Sequence, residues 1–99
     1  MIVADVTFYP IGKGTSASSS IRAALEAMRN DRVQLYPNSM ATVIQASSMD
    51  DIFDCVKRGE DALIKMGFRR IETILRIDHR MDVENSVERK LRSIGFSND

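Results

Sequence analysis

From Ile71 to Ile77 every second side chain is apolar or β-branched (Ile71, Thr73, Leu75, Ile77), while Glu72, Ile74, Arg76 and Asp78 fall on the opposite side. That period of two marks a strand with one buried face. At its end the alternation gives way to charge, and Arg76, Asp78, Arg80 and Asp82 follow with alternating sign. Four such charges in so short a chain imply a use. The expected one is structural: charge-assisted bonds from the strand end to a neighbouring subunit or to the element that follows. A first strand is predicted over Ile2–Ile11, where Ile2, Ala4, Val6 and Phe8 alternate with Val3, Asp5, Thr7 and Tyr9 until Pro10 removes a ladder donor. Val33 to Tyr36 resumes the period, Pro37-Asn38-Ser39 turns the chain, and Met40 to Ala46 returns as the second arm of a hairpin.

Between these strands the period lengthens. From about Ala17 to Arg29 a helical stripe runs through Ile21, Ala24, Leu25 and Met28, and Ser16, Ser18, Ser19 and Ser20 crowd its first turn, where one serine suffices as a cap. The surplus hydroxyls read either as pocket lining or as solvated turn. A second helix begins near Met49, with Ser48 as its cap and Asp50 and Asp51 where the dipole favours negative charge. Its expected core stripe is Ile52, Val56, Leu63 and Met66, with Phe53 and Cys55 at the margins and Gly67 as a left-handed stop. Asp82 is the expected cap of a third helix carrying Val83, Val87, Leu91 and Ile94 before Gly95.

Two strand-helix-strand units joined by a hairpin, each with a right-handed crossover, predict an α+β fold. It is the ferredoxin-like βαββαβ sandwich with an additional C-terminal helix, expected as one domain over residues 1–99. Helices would cover one sheet face. The other would carry Asp5, Thr7, Tyr9, Gln34, Tyr36, Val43, Gln45, Ile74, Arg76 and Asp78, a mixture too apolar for plain solvent surface and too polar for core. Such a face predicts a subunit interface or a ligand platform, and with it a homo-oligomer.

Charge narrows the partners. Fourteen basic residues balance fourteen acidic ones, so no bulk field draws the chain to nucleic acid or an anionic membrane. No apolar run approaches the roughly 20 residues of a membrane-spanning helix. The single cysteine cannot staple the chain to itself, and the strand pattern begins at once, with no basic leader or apolar signal core; a cytoplasmic location is expected.

Chemistry has few places to reside. The turn Gly12-Lys13-Gly14-Thr15-Ser16 offers backbone N–H groups that could converge on an anion; it reads equally as a strand-to-helix turn with a hydroxyl cap, because the phosphate-loop pattern is absent. Cys55 on an apolar stripe reads as a small core residue, since the chain holds only one histidine to activate it. That histidine, His79, stands beside Asp78 and Asp82, which reads as a charged surface turn rather than a zinc set.

Val6-Thr7-Phe8-Tyr9-Pro10-Ile11-Gly12 leading into Gly14-Thr15-Ser16, then Thr42-Val43-Ile44 after a proline-bearing hairpin, then Arg76-Ile77-Asp78-His79-Arg80-Met81-Asp82, together resemble the small thiamine-binding protein family over nearly the whole chain. The resemblance implies a ferredoxin-like, non-enzymatic homo-oligomer, commonly a tetramer of paired dimers, that binds thiamine or its hydroxymethylpyrimidine part without a cofactor. Three departures stand out. Gln45 replaces the family's usual carboxylate, Ala41 and Ala46 replace glycines, and Lys13 stands where a small polar residue is usual.

A pocket for such a ligand needs hydroxyls, an amide, an apolar wall and some negative potential. The expected contacts are Thr7, Ser16, Ser18 and Thr42 for hydroxyls, Gln45 for the amide, Ile11 and Met40 for the wall, with Gly12 in the turn and Asp5 the nearest negative group by strand parity. With Gln45 in place of a carboxylate, the neutral pyrimidine is expected to bind at least as readily as cationic thiamine. Two further classes share the fold, besides an oligomeric anion-responsive regulatory module. An RNA-binding module needs aromatic platforms on the central strands, which Met40 to Ala46 lacks. A phosphate-ester hydrolase of acylphosphatase type needs an arginine in the first loop, which here offers only Lys13.

Overall fold

The computed structural model describes residues 1–12, 14 and 17–96. Seven elements follow in order: β1 (Ile2–Ile11), α1 (Ser18–Met28), β2 (Val33–Pro37), β3 (Thr42–Ala46), α2 (Met49–Lys65), β4 (Arg70–Asp78) and α3 (Val87–Ser93). The strands form one antiparallel sheet in the order β2-β3-β1-β4. This is the α+β, ferredoxin-like arrangement, with α3 added at the C-terminal end. Strand β1 is central: Val6 pairs with Thr42 on β3 and with Leu75 on β4.

Because opposite residues of an antiparallel pair share a face, the registers sort the sheet into two sides. Ile2, Ala4, Val6 and Phe8 lie with Ile44, Ala46 and Leu75 against α1 and α2, and the first six of these are buried. From the helices, Ala24, Met28, Ile52, Cys55 and Leu63 close this core with no exposed surface at all. The stripe of α2 is rotated from the expected one. Cys55 is fully buried while Met66 is 40% exposed, because α2 approaches the sheet through Gly59, where a side chain would collide with Phe8. Burial pushes the Cys55 thiol up to about 11, and it donates to the Met28 carbonyl at 3.5 Å, so it is a core residue and not a nucleophile.

Helix ends follow local chemistry, with two differences from expectation. The Ser48 hydroxyl accepts from the Asp51 N–H at 3.1 Å, as an N-cap should. Helix α1 has no serine cap: Ala17 occupies that position, and the Ser20 hydroxyl donates back to the Ala17 carbonyl at 2.9 Å. Helix α3 begins later than expected. Its cap is Ser86, accepting from the Arg89 N–H at 3.0 Å, while Asp82 is held four residues earlier by Arg80. Arg80 and the neighbouring backbone N–H groups hold the Asp82 carboxylate within its own turn, and the hydroxyl four residues on takes the cap.

Gly59→Ala measures how tightly α2 is seated. The added methyl carbon would stand 2.7 Å from the Phe8 ring and 3.0 Å from Met28, both buried. Relieving that overlap is expected to cost about 1–3 kcal/mol, against a gain of about 1 kcal/mol from helix propensity. Urea unfolding should show a net loss of stability; a stabilised variant would contradict this packing.

Candidate functional site

Two cavities lie at opposite ends of β1. The first, of about 210 Å³, sits where the second half of β1, helix α1 and the β2–β3 turn converge. Its walls are Phe8, Ile21, Leu25 and Met40, and its polar groups come from Thr7, Thr42, Asn38 and Ser39. No charged residue borders it among the described ones. The turn that forms one wall is fixed by two bonds: Asn38 N–H donates to the Ala41 carbonyl at 2.9 Å, and the Thr7 hydroxyl donates to the Met40 carbonyl at 3.3 Å. The Thr7 oxygen is then left as an acceptor. Thr42 is almost wholly buried, on the helix-covered side, while Thr7 belongs to the other side of the sheet.

Of the eight expected ligand contacts, the structure brings Thr7, Met40 and Thr42 together at this cavity. Ile11, Gly12 and Ser18 lie on the ends of β1 and α1 that the connecting turn joins, outside the cavity wall. Gly12 and Gly14 have φ of 109° and 89°, a left-handed backbone that favours glycine, which explains the spacing of the turn. Lys13, Thr15 and Ser16 lie outside the described residues, and with them the anion reading of this turn. Asn38, Ser39, Ile21 and Leu25 are the lining residues that sequence reasoning missed. Asn38 and Ser39 read as turn punctuation and the other two as helix core, and nothing in a single sequence shows that a turn folds over a helix.

Gln45, also expected at the ligand, lies away from this cavity. It pairs with Val3, four residues along β1 from Thr7, a separation of roughly 13 Å at strand rise. Both ends of its amide are engaged. The oxygen accepts from the Val87 N–H at 2.7 Å, and the nitrogen donates to the Gln34 side chain. Gln45 therefore ties the first turn of α3 to the sheet.

That tie is part of a polar cluster at the second cavity, of about 540 Å³, between the exposed sheet side and α3. Arg76 donates to Asp5 at 2.6 Å, and Lys90 of α3 pairs with Asp78 at 2.5 Å. Lys90 beside Asp78 holds that carboxyl below its ordinary range, with help from Asn85. Arg80 likewise lowers Asp82. Of the four expected structural charges, Arg76 reaches β1 and Asp78 reaches α3, whereas Arg80 and Asp82 bind one another. The exposed His79 joins no metal set: among the described residues no three His, Cys, Asp or Glu side chains are grouped to hold an ion. No described helix is long and apolar enough to cross a membrane.

The sequence model of a family described as thiamine-binding protein matches residues 4–95. A UPF0045 protein of Methanothermobacter thermautotrophicus is 34% identical over 95 residues, covering 95% of this chain and 96% of that protein. The UPF0045 protein YqgV of Bacillus subtilis is 32% identical over 101 residues, covering 95% and 94%. A crystal structure of hypothetical protein MJ1052 from Methanocaldococcus jannaschii superposes with a TM-score of 0.87 at 34% identity, covering 95% of each chain. A domain of unknown function from Bacillus cereus superposes at 0.80 with 21% identity, over 91% of this chain and 86% of that one, and shows the shared fold.

Acid and mutation should both loosen α3. Since the folded-state pKa of Asp78 is depressed, its pairing with Lys90 contributes fully above the ordinary value of 3.8 and is lost as pH falls through the lowered one. The protection factor at Val87 should fall over that acid window and, at neutral pH, in Gln45→Ala. An unchanged Val87 protection factor in Gln45→Ala would remove Gln45 as the tether.

Proposed function

The chain belongs to the thiamine-binding protein family, and on that footing we propose that it is a non-enzymatic, cytoplasmic, homo-oligomeric protein that binds thiamine or its hydroxymethylpyrimidine part. The family is named for binding, and none of the relatives described above carries an enzyme's name. The observation that carries the reading is the 210 Å³ cavity, whose polar groups are hydroxyls and an amide set among aliphatic and aromatic walls. Drug-sized ligands occupy roughly 300–1,000 Å³, so this cavity fits one ring rather than two. An aminopyrimidine needs both donors and acceptors around a flat ring. Asn38 supplies both, Thr7 an accepting oxygen, and Phe8 and Met40 the apolar contact.

The same lining argues for the pyrimidine over the whole cofactor. Thiazolium carries a permanent positive charge, and desolvating a cation without a facing carboxylate is costly. The described lining has no carboxylate. In this reading the thiazolium of thiamine stays outside the cavity, and the oligomer forms because Tyr9, Ile11, Tyr36 and Ile74 leave a semi-apolar sheet side in water.

Calorimetric titration separates the parts. Hydroxymethylpyrimidine is expected to bind at least as tightly as thiamine. Thr42→Val should weaken both by about 1–3 kcal/mol, the cost of an unpaired buried partner. Gln45→Glu should leave their ratio unchanged, because Gln45 is tied to Gln34 and Val87 far from the ring. Heat from neither ligand would end this reading, and a ratio shifted toward thiamine by Gln45→Glu would return that residue to the site.

A further inference from the structure

Strand β4 is an outer strand of the sheet, with β1 on one side and no strand among the described residues on the other. It is nine residues long, and its register with β1 runs unbroken from Val3 opposite Asp78 to Ile11 opposite Arg70, with no bulge. It contains no proline, glycine or lysine. Exposed edges are ordinarily blunted by such features, because a row of free N–H and C=O groups pairs with any strand that arrives. The opposite edge is protected in that way: β2 has five residues and ends in Pro37. On β4 only the order of the charges remains.

That order is self-complementary. Along the side of β4 away from α1 and α2 the residues run Arg70, Glu72, Ile74, Arg76, Asp78. Read backwards, each charge meets its opposite. Two copies of β4 related by a two-fold axis through Ile74 would set Arg70 against Asp78, Glu72 against Arg76 and Ile74 against its counterpart. On the helix side the same register sets Ile71 against Ile77 and Thr73 against Leu75, four residues that are only half-buried within one chain. The neighbouring registers fail. Moving the axis by one residue sets Arg70 against Arg76 or Glu72 against Asp78, and moving it by two sets Glu72 or Arg76 against itself. Like charges directly opposite are destabilising.

We propose that the β4 edge is a docking surface for a second copy of this chain, paired antiparallel about Ile74 into a continuous eight-stranded sheet with both helix layers on the same side. The groups concerned are exposed: Ile74 is 60% exposed, and the side chains of Arg70, Glu72 and Arg76 are 70%, 59% and 81% exposed, so the pair Arg70 makes with Glu72 within one chain can exchange for pairs across the edge. Arg76 then stands between Asp5 of its own chain and Glu72 of the second copy. This deepens the homo-oligomer reading above by adding an edge contact to the sheet side that bears Tyr9 and Tyr36, and because ligand titration is a separate readout, the pairing can fail while the ligand reading stands.

Charge exchange between chains tests it by sedimentation equilibrium. The wild type is expected to contain at least two chains. Glu72→Arg should sediment at half the wild-type mass or less, as should Arg76→Glu made together with Asp5→Asn, which removes the carboxylate the new glutamate would otherwise face. An equimolar mixture of the two should recover the wild-type mass, since each supplies the charge the other lacks; recovery also shows that both are folded. A wild type that sediments as one chain, variants that keep the wild-type mass, or a mixture that stays dissociated while both circular dichroism spectra are native would overturn the assignment.

Discussion

Strand β1 hydrogen-bonds on both of its sides, and its period of two assigns each paired side chain of β3 and β4 to one of two faces. Ile2, Ala4, Val6 and Phe8 commit one face to α1 and α2. The chain then has only one short helix left for the other. With seven residues and none of them buried, α3 covers the end near Val3, Gln45 and Asp78 through polar ties rather than through a core. The functional features follow from that shortage. One end of β1 carries α3 and its ion pairs, the other end is open to the hairpin and to α1, and the β4 edge pairs with no further strand among the described residues.

The two ends differ in chemistry as well as in size. Under α3, each cation that lines the larger cavity already has a carboxylate, Arg76 with Asp5 and Lys90 with Asp78. Pairs as exposed as these contribute little stability, and of the two only Lys90 with Asp78 reaches α3. At the hairpin end no charged residue among the described ones lines the cavity, and the Thr7 hydroxyl serves first to hold the Met40 carbonyl. A neutral, planar guest suits the second environment, not the first.

Strand positions, helix α2 with its Ser48 cap, and the ferredoxin-like order were legible because each rests on a short-range rule: alternation, a hydroxyl at a helix start, a glycine at its end. The start of α3 was not, since Asp82 and Ser86 are both good caps in isolation and only the fold shows that Arg80 occupies Asp82. The tie from Gln45 to α3 was not legible for a related reason. Its parity placed it correctly on the exposed side of the sheet, but which partner meets it depends on where α3 returns, a contact 42 residues away in sequence. Thr7, Met40 and Thr42, expected together through the family resemblance, line one cavity. Ile21 and Leu25 were not, because a residue that lines a cavity and one that fills a core have the same spacing on a helix.

The central claim is that the neutral ring sits at the hairpin end of β1. Amide chemical-shift mapping with saturating hydroxymethylpyrimidine tests it most directly. Perturbations are expected to concentrate at Thr7, Phe8, Asn38, Met40 and Thr42, with Val3, Arg76 and Lys90 unmoved. Shifts centred instead on Val3, Gln45, Asp78 and Lys90 would place the ligand under α3 and contradict it.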